Sequence, residues 1–260
     1  MSDEWYDFLE AADEAQRSSW SVRVEENLLK ALKWAEKLGP QNNALTICLL
    51  RLAHFYQYDD RLADYSKSEQ LYKRALEIKE RNLGSDHPEV ANALVSLGDL
   101  YLFMSNHSGG LSRFFSNPAG KREQVYMRAL AIREKSLGPD SSELAEVCEK
   151  LAQFYKSQKQ YDQAVSFYER HLDINEKRYG THYFKRRELA KLYVSASNWR
   201  KAERLYQQTI EWLENKQSRE YDDRQDLVWI FDDYIEMLQR LNRSDDAEAM
   251  EARRIRASRK

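Results

Sequence analysis

Five histidines are the side chains of this sequence most suited to catalysis or metal binding: His54, His87, His107, His171 and His182. They show no metal-ligand spacing on any one predicted helix, and no third ligand joins them. His87 belongs to an Asp-His-Pro segment that is typical of a helix start, so capping explains it. The sequence also has neither a phosphate-cradling glycine loop nor a nucleophile elbow. We therefore predict a protein that is not an enzyme and that needs no cofactor or metal.

A repeated segment indicates what kind of structure carries these residues. It reads LYKRALEIKERNLG at 71–84, VYMRALAIREKSLG at 125–138 and, more weakly, LLKALKWAEKLG at 28–39. The tyrosines recur at similar spacings, since Tyr126 and Tyr168 are 42 residues apart and Tyr168 and Tyr206 are 38 apart. The 54 residues between Tyr72 and Tyr126 mark one insertion. A fixed period of this length predicts an array of repeated helical units.

Small and large residues alternate at fixed places in each repeat. A small side chain allows two antiparallel helices to approach closely, and the large side chain of the next turn fills the space between neighbouring helices. The small residues are Ala53, Gly98, Ala152 and Ala190, and the large ones are Tyr56, Tyr101, Tyr155 and Tyr193. Leu-Gly ends each second helix, where Gly39, Gly84 and Gly138 are suited to the left-handed cap conformation.

The order L-[GA]-x2-Y followed by A-x3-[FY] resembles the tetratricopeptide repeat, and it is clearest at Leu151, Ala152, Tyr155, Tyr161, Ala164 and Tyr168. The spacing of 42 residues resembles the kinesin light chain type, and many bacterial repeat proteins are similar. The resemblance covers essentially the whole chain. It implies an all-α fold, a right-handed α-α superhelix of about six helical hairpins.

We predict one solenoid domain over residues 1–260. A degenerate capping pair at 3–38 begins it, regular repeats follow at 41–84, 88–138, 141–179 and 181–217, and a second capping pair at 222–258 closes it. Atypical ends are expected of an array whose terminal units meet water on one side. The insertion near 103–120 contains Phe114 and Phe115 between glycine and proline turns. It either packs on the protein's own repeats or serves as a partner contact.

Composition narrows the functional classes. The formal net charge is −2, which does not favour nucleic-acid binding. No apolar run is long enough to span a membrane, and the acidic start lacks the features of a signal peptide. We therefore expect a cytoplasmic protein. Cys48 and Cys148 fall on the predicted apolar faces of two first helices, where buried free thiols are expected and a disulfide or reactive pair is the alternative.

The resemblance also implies where a partner would bind, because the first helix of each pair lines the concave side of such arrays. Counted from the small residue, the groove positions include His54, Gln57, Asn92, Asp99, Lys150, Gln153, Lys156, Phe184, Arg187, Lys191 and Trp229. Lysine and arginine here would meet acidic groups, and the aromatic side chains would supply apolar contact.

Two functional hypotheses follow. The first is a noncatalytic interaction module, an adaptor or scaffold that binds a protein or peptide segment in the groove. The second is self-association into a homo-oligomer through the end helices or the 103–120 loop, with Phe114 and Phe115 as contacts. Neither hypothesis includes nucleic acid or membrane as a partner.

Overall fold

The computed structural model describes residues 4–18, 21–107, 118–216 and 221–259. Within these ranges the chain forms twelve α-helices and no strands. The helices are α1 (Glu4–Arg17), α2 (Ser21–Leu38), α3 (Asn43–Tyr58), α4 (Tyr65–Leu83), α5 (Pro88–His107), α6 (Pro118–Leu137), α7 (Ser142–Ser157), α8 (Tyr161–Tyr179), α9 (Tyr183–Ser195), α10 (Trp199–Asn215), α11 (Tyr221–Arg240) and α12 (Ser244–Arg259).

The helices fall into two compact units, Met1–Gly138 and Pro139–Lys260. Each unit contains three hairpins, in which α1 packs on α2, α3 on α4, and so on to α11 on α12. The predicted all-α fold of six helical hairpins is confirmed. One continuous array over residues 1–260, with its capping pairs, stays a prediction.

Glycines and short polar residues set the helix ends. Gly39, Gly84, Gly138 and Gly180 follow the second helices with φ between 83° and 91°, a region that side chains with a Cβ avoid. The first helices begin at caps: Oδ1 of Asn42 accepts from the Ala44 amide at 2.8 Å, which satisfies one of the unpaired amides of α3.

The predicted small residues are buried in the helix packing. Ala53, Ala152 and Ala190 are fully or almost fully buried. The fourth, Gly98, shows how close the approach is, because a Cβ added there would lie 2.2 Å from Cε1 of Tyr126 on α6. Glycine is thus required at this crossing of α5 and α6.

Helices extend into both ends of the segment near 103–120 that the sequence assigns to the insertion. Helix α5 continues to His107, beyond the predicted start near 103, and α6 already begins at Pro118, the first-turn position that proline favours. Phe114 and Phe115 lie outside the described residues.

A buried tyrosine recurs in the first helices, and its hydroxyl donates a hydrogen bond to a glutamate on the helix that precedes it in the chain. The Tyr101 hydroxyl donates to Glu69 on the preceding second helix at 2.9 Å, and Nζ of Lys121, at the start of the following helix, lies 3.2 Å from the same carboxylate oxygen. The same three roles are filled by Tyr193, Glu169 and Lys201, and by Tyr234, Glu203 and Arg243. This contact joins successive hairpins within each unit.

Two further sequence predictions concern membrane spans and thiols. In the described ranges no helix is both long and apolar enough to cross a bilayer. Cys48 and Cys148 are buried free thiols in different units. Burial raises the pKa of the Cys48 thiol to about 11, so this sulfur stays protonated and unreactive at neutral pH.

Candidate interaction surface

The second unit presents its predicted groove residues on α7, α9 and α11, the first helices of its three hairpins. We call these residues the second-unit face: Lys150, Gln153, Lys156, Phe184, Arg187, Lys191 and Trp229. Phe184 on α9 is 55% exposed and Trp229 on α11 is 42% exposed. Large aromatic side chains this exposed give the face apolar area that could be covered by another molecule.

Arg187 links two of these helices. Its Nε donates to Oδ2 of Asp233 on α11 at 2.5 Å, and its guanidinium carbon lies 5.6 Å from the centre of the Trp229 ring. The carboxylate and the ring fix the orientation of the guanidinium, which stays partly exposed between them. The sequence could name Arg187 and Trp229 as groove positions but could not predict that they touch.

Lysines from two helices share one carboxylate. Nζ of Lys156 on α7 lies 3.7 Å from Glu188, and Nζ of Lys191 lies 4.0 Å from the other oxygen of the same group. These separations exceed a hydrogen bond, and one carboxylate balances only one of the two ammonium groups. Glu188 is therefore shared between the two ammonium groups.

The remaining predicted residues of this unit extend the face along α7. Nζ of Lys150 lies 3.8 Å from Glu146, one turn earlier on the same helix. Gln153 is exposed and lies one turn from both Lys150 and Lys156. Phe184, Arg187 and Lys191 similarly share one side of α9 through their spacing of three and four residues.

In the first unit, three of the four predicted groove residues are used by the protein itself. Gln57 is 1% exposed, and its Oε1 accepts from the Tyr72 hydroxyl at 3.0 Å. Asn92 accepts from Arg133 at 3.0 Å, and Asp99 accepts from Tyr126 at 2.6 Å. Their positions follow the predicted register, but Gln57 is turned into the packing of α3 on α4 and has no surface to offer.

His54 is the fourth, and it lies at an open cleft together with Gln16, Tyr58 and Asp59. Burial by neighbouring protein atoms and the nearby Arg51 lower the pKa of His54 below 6.5, so the ring is neutral at neutral pH. The His54 and Tyr58 rings are 4.5 Å apart.

The aromatic contacts continue from this cleft onto α5. Tyr58 meets Phe103 at 5.1 Å, and Phe103 stacks on His107 at 3.8 Å. Sequence reasoning missed this chain of rings, although the spacing of four residues in each helix was a signal for it.

Within the described ranges, no three His, Cys, Asp or Glu side chains converge in a way that could hold a metal ion.

Comparisons with known proteins agree with this architecture. A family model of the tetratricopeptide repeat matches residues 45–108, 123–177 and 148–215. Among solved structures, BtubC (BKLC) from P. vanneervenii is 22% identical with a TM-score of 0.62, over 80% of each chain. Kinesin light chain repeats from Podosopora anserina are 19% identical with a TM-score of 0.62, over 83% of this chain and 98% of theirs.

A tetratricopeptide repeat protein from Parabacteroides merdae is 16% identical with a TM-score of 0.57, over 99% of this chain and 81% of its own. These identities support the fold alone. The search of curated proteins returned no match. The family model, however, covers more than half of the residues, and the resemblance seen in the repeated motifs is confirmed. The protein belongs to the tetratricopeptide repeat family.

Proposed function

We propose that the protein is a noncatalytic interaction module of the cytoplasm, an adaptor that binds a segment of another protein on the second-unit face. The observation that carries this proposal is the exposure of two aromatic side chains, Phe184 and Trp229, in the unit where Lys156 and Lys191 share one carboxylate. A surface that contacts only water does not require exposed aromatic rings. The buried free thiols fit a reducing compartment.

The chemistry of the face selects the partner. Lys156 and Lys191 share the carboxylate of Glu188 without a hydrogen bond to it, and Arg187 is fixed beside Trp229. A matching segment brings aspartate or glutamate together with an aromatic or large apolar side chain. The aromatic anchor supplies most of the affinity, while the charges mainly speed association and select the partner.

Photo-crosslinking in the native cell tests this directly. A photoreactive phenylalanine at position 184 should capture a partner protein, whereas the same group at Tyr179, also exposed but on α8, should not. The captured segment is then synthesised and its affinity measured. Trp229→Ser should weaken binding by about thirtyfold, a loss typical of an aromatic hot spot.

Charge variants complete the test. Lys156→Glu combined with Lys191→Glu should slow association and reduce its dependence on salt. Arg204→Glu is the matched control, since Arg204 is exposed on α10 in the same unit and should leave binding within about twofold. Equal capture from positions 184 and 179, or unchanged binding by the Trp229 variant, would contradict the proposal.

Self-association is a second candidate, supported by the first hairpin. Val22 and Leu29 are exposed and lie seven residues apart, on one side of α2. Two exposed apolar side chains on one side of the helix, with Glu25 and Glu26 in the turn between them, suit contact with another copy of the chain. Light scattering at rising concentration should then show an oligomer that Val22→Lys and Leu29→Lys dissociate, and a monomer throughout would end this candidate.

A further inference from the structure

A buried histidine in the second unit contacts an ammonium group. His171 on α8 is 2% exposed. Its Nδ1 lies 2.8 Å from the carbonyl oxygen of Ala145 on α7, and its Nε2 lies 2.6 Å from Nζ of Lys185 on α9. A carbonyl only accepts, so Nδ1 carries the hydrogen, and Nε2 of the neutral ring accepts from Lys185. This one ring therefore ties α9 to α7 and α8.

One carboxylate lies beside both groups. Oε1 of Glu149 on α7 lies 3.8 Å from Nζ of Lys185, and Oε2 lies 3.9 Å from Nε2 of His171. His182, in the turn before α9, is the other titratable group that acts on His171. The ring of Tyr168, also on α8, lies 5.2 Å from the ring of His171. Glu149 is the single acid in this set, so it can neutralise one cation at a time.

Protonation of His171 would reverse the role of Nε2. The nitrogen would become a donor that points at the Lys185 ammonium, and two positive charges would face each other inside the unit. Burial is the main cause that lowers the pKa of His171 below 6.5; the hydrogen bond to Ala145 and the charge of Glu149 oppose this shift, and Lys185 and His182 add to it. The ring is therefore neutral at neutral pH.

Lys185 depends on this contact more than an ordinary surface lysine would. It lies in the first turn of α9, where the helix macrodipole disfavours a positive charge. The same turn carries Phe184, and Arg187 follows within the next turn. Movement at Lys185 would thus displace two members of the second-unit face.

We propose that protonation of His171 transfers Glu149 from Lys185 to the imidazolium, releases the first turn of α9 and so weakens ligand binding at the second-unit face. The effect on binding rests on the function proposed above. The proton comes from solvent, no covalent bond changes, and the number of ion pairs in the cluster stays at one. The face therefore binds at neutral pH and loosens on acidification.

Hydrogen exchange of the intact protein, corrected for the intrinsic effect of pH, tests the structural step. Between about pH 7.5 and about pH 5.5, amides of α9 should lose protection progressively once the pH falls below 6.5, because the pKa of His171 lies below that value. Amides of α11 and α12 are the internal control, since neither helix contains a histidine. His171→Gln, which does not titrate, and Lys185→Gln, which removes the repelled charge, should both keep α9 protected. The proposal would be overturned if α9 of the wild type kept the same protection at both pH values. It would also be overturned if both variants lost as much α9 protection on acidification as the wild type.

A binding measurement tests the consequence. The probe is a fluorescein-labelled peptide with tryptophan between glutamates, whose carboxylates stay ionised at about pH 5.5. Anisotropy should show affinity falling about tenfold on acidification, a usual size for coupling between sites. The His171→Gln protein should bind equally at both pH values. A peptide that binds the wild type without any pH dependence contradicts the switch. A peptide that binds at neither pH, while α9 still loses protection, contradicts the proposed function instead.

Discussion

The hydroxyl of Tyr101 donates a hydrogen bond of 2.9 Å to the carboxylate of Glu69, which lies on the hairpin before it. The Tyr101 ring also fills the space between the hairpins and is almost fully buried. Burial acts to raise the pKa of Glu69, but hydrogen bonds from Lys73, Tyr101 and Lys121 outweigh it and lower the pKa below its usual value. The carboxylate is therefore ionised and well placed to accept from the phenol.

Removal of this hydroxyl should weaken the contact between hairpins. Tyr101→Phe keeps the ring and is expected to lower the free energy of unfolding by about 1–2 kcal/mol, because a hydrogen bond to a charged acceptor is lost. Urea denaturation measures the change. Tyr179→Phe is the matched control, since Tyr179 is exposed and should show almost no effect. Equal losses at both positions would rule out a special role for the bond to Glu69.

The sequence could predict Tyr101 but not its partner. Small and large residues recur at a fixed period, and that period alone places the tyrosine between helices. Glu69 lies 32 residues earlier, and nothing in the period distinguishes it from the many other glutamates on exposed faces. The pairing depends on side-chain directions set by the packing of three helices. The spacing also differs between copies: Tyr234 and Glu203 are 31 residues apart, whereas Tyr193 and Glu169 are 24 apart, so one known pair does not fix the next.

The same limit applies to the candidate surface. The register placed Arg187 on the face, whereas its partner Asp233 is 46 residues away. It also placed Gln57 at a groove position of the first unit, yet Oε1 of Gln57 accepts a hydrogen bond from the Tyr72 hydroxyl inside the hairpin. A repeat pattern gives the side of the helix on which a residue lies. It does not show which polar group on that side is already satisfied by a neighbouring helix.

Gly98 should not tolerate even a methyl group. Gly98→Ala would put its Cβ 2.2 Å from Cε1 of Tyr126, and that ring cannot easily move because its hydroxyl donates to Asp99 at 2.6 Å. We expect a loss of about 1–3 kcal/mol in unfolding free energy from overpacking. Ser96→Ala on the same helix is the control and should change stability little. Combining Gly98→Ala with Tyr126→Leu should recover part of the loss, and a purely additive double variant would contradict the clash.

Lys159 lies in the turn between α7 and α8 with a φ of 59°. A left-handed backbone costs about 1–2 kcal/mol for a residue with a Cβ, and glycine avoids this cost. Glycine also makes the unfolded chain more flexible, which destabilises the folded protein by about 0.5–1 kcal/mol and offsets part of the gain. Lys159→Gly should therefore stabilise the protein by about 0.5–1 kcal/mol. Lys177→Gly, inside the right-handed helix α8, should instead destabilise it. Thermal unfolding that shifts in the same direction for both variants would refute the backbone argument.

His171 should make the stability of the protein depend on pH. The pKa of this histidine is 6.5 when it is exposed in the unfolded chain and lower in the folded protein. Between these two values the unfolded chain binds more protons, so the free energy of unfolding falls as pH falls. The stabilisation that comes from keeping His171 neutral in the folded protein is fully present above pH 6.5 and is lost progressively below it. Urea denaturation at a series of pH values should show that His171→Gln, which has no proton to gain, loses less stability than the wild type over this window. Parallel curves for the two proteins would mean that His171 does not titrate differently in the folded state, and its contact with Lys185 would then have no influence on folding.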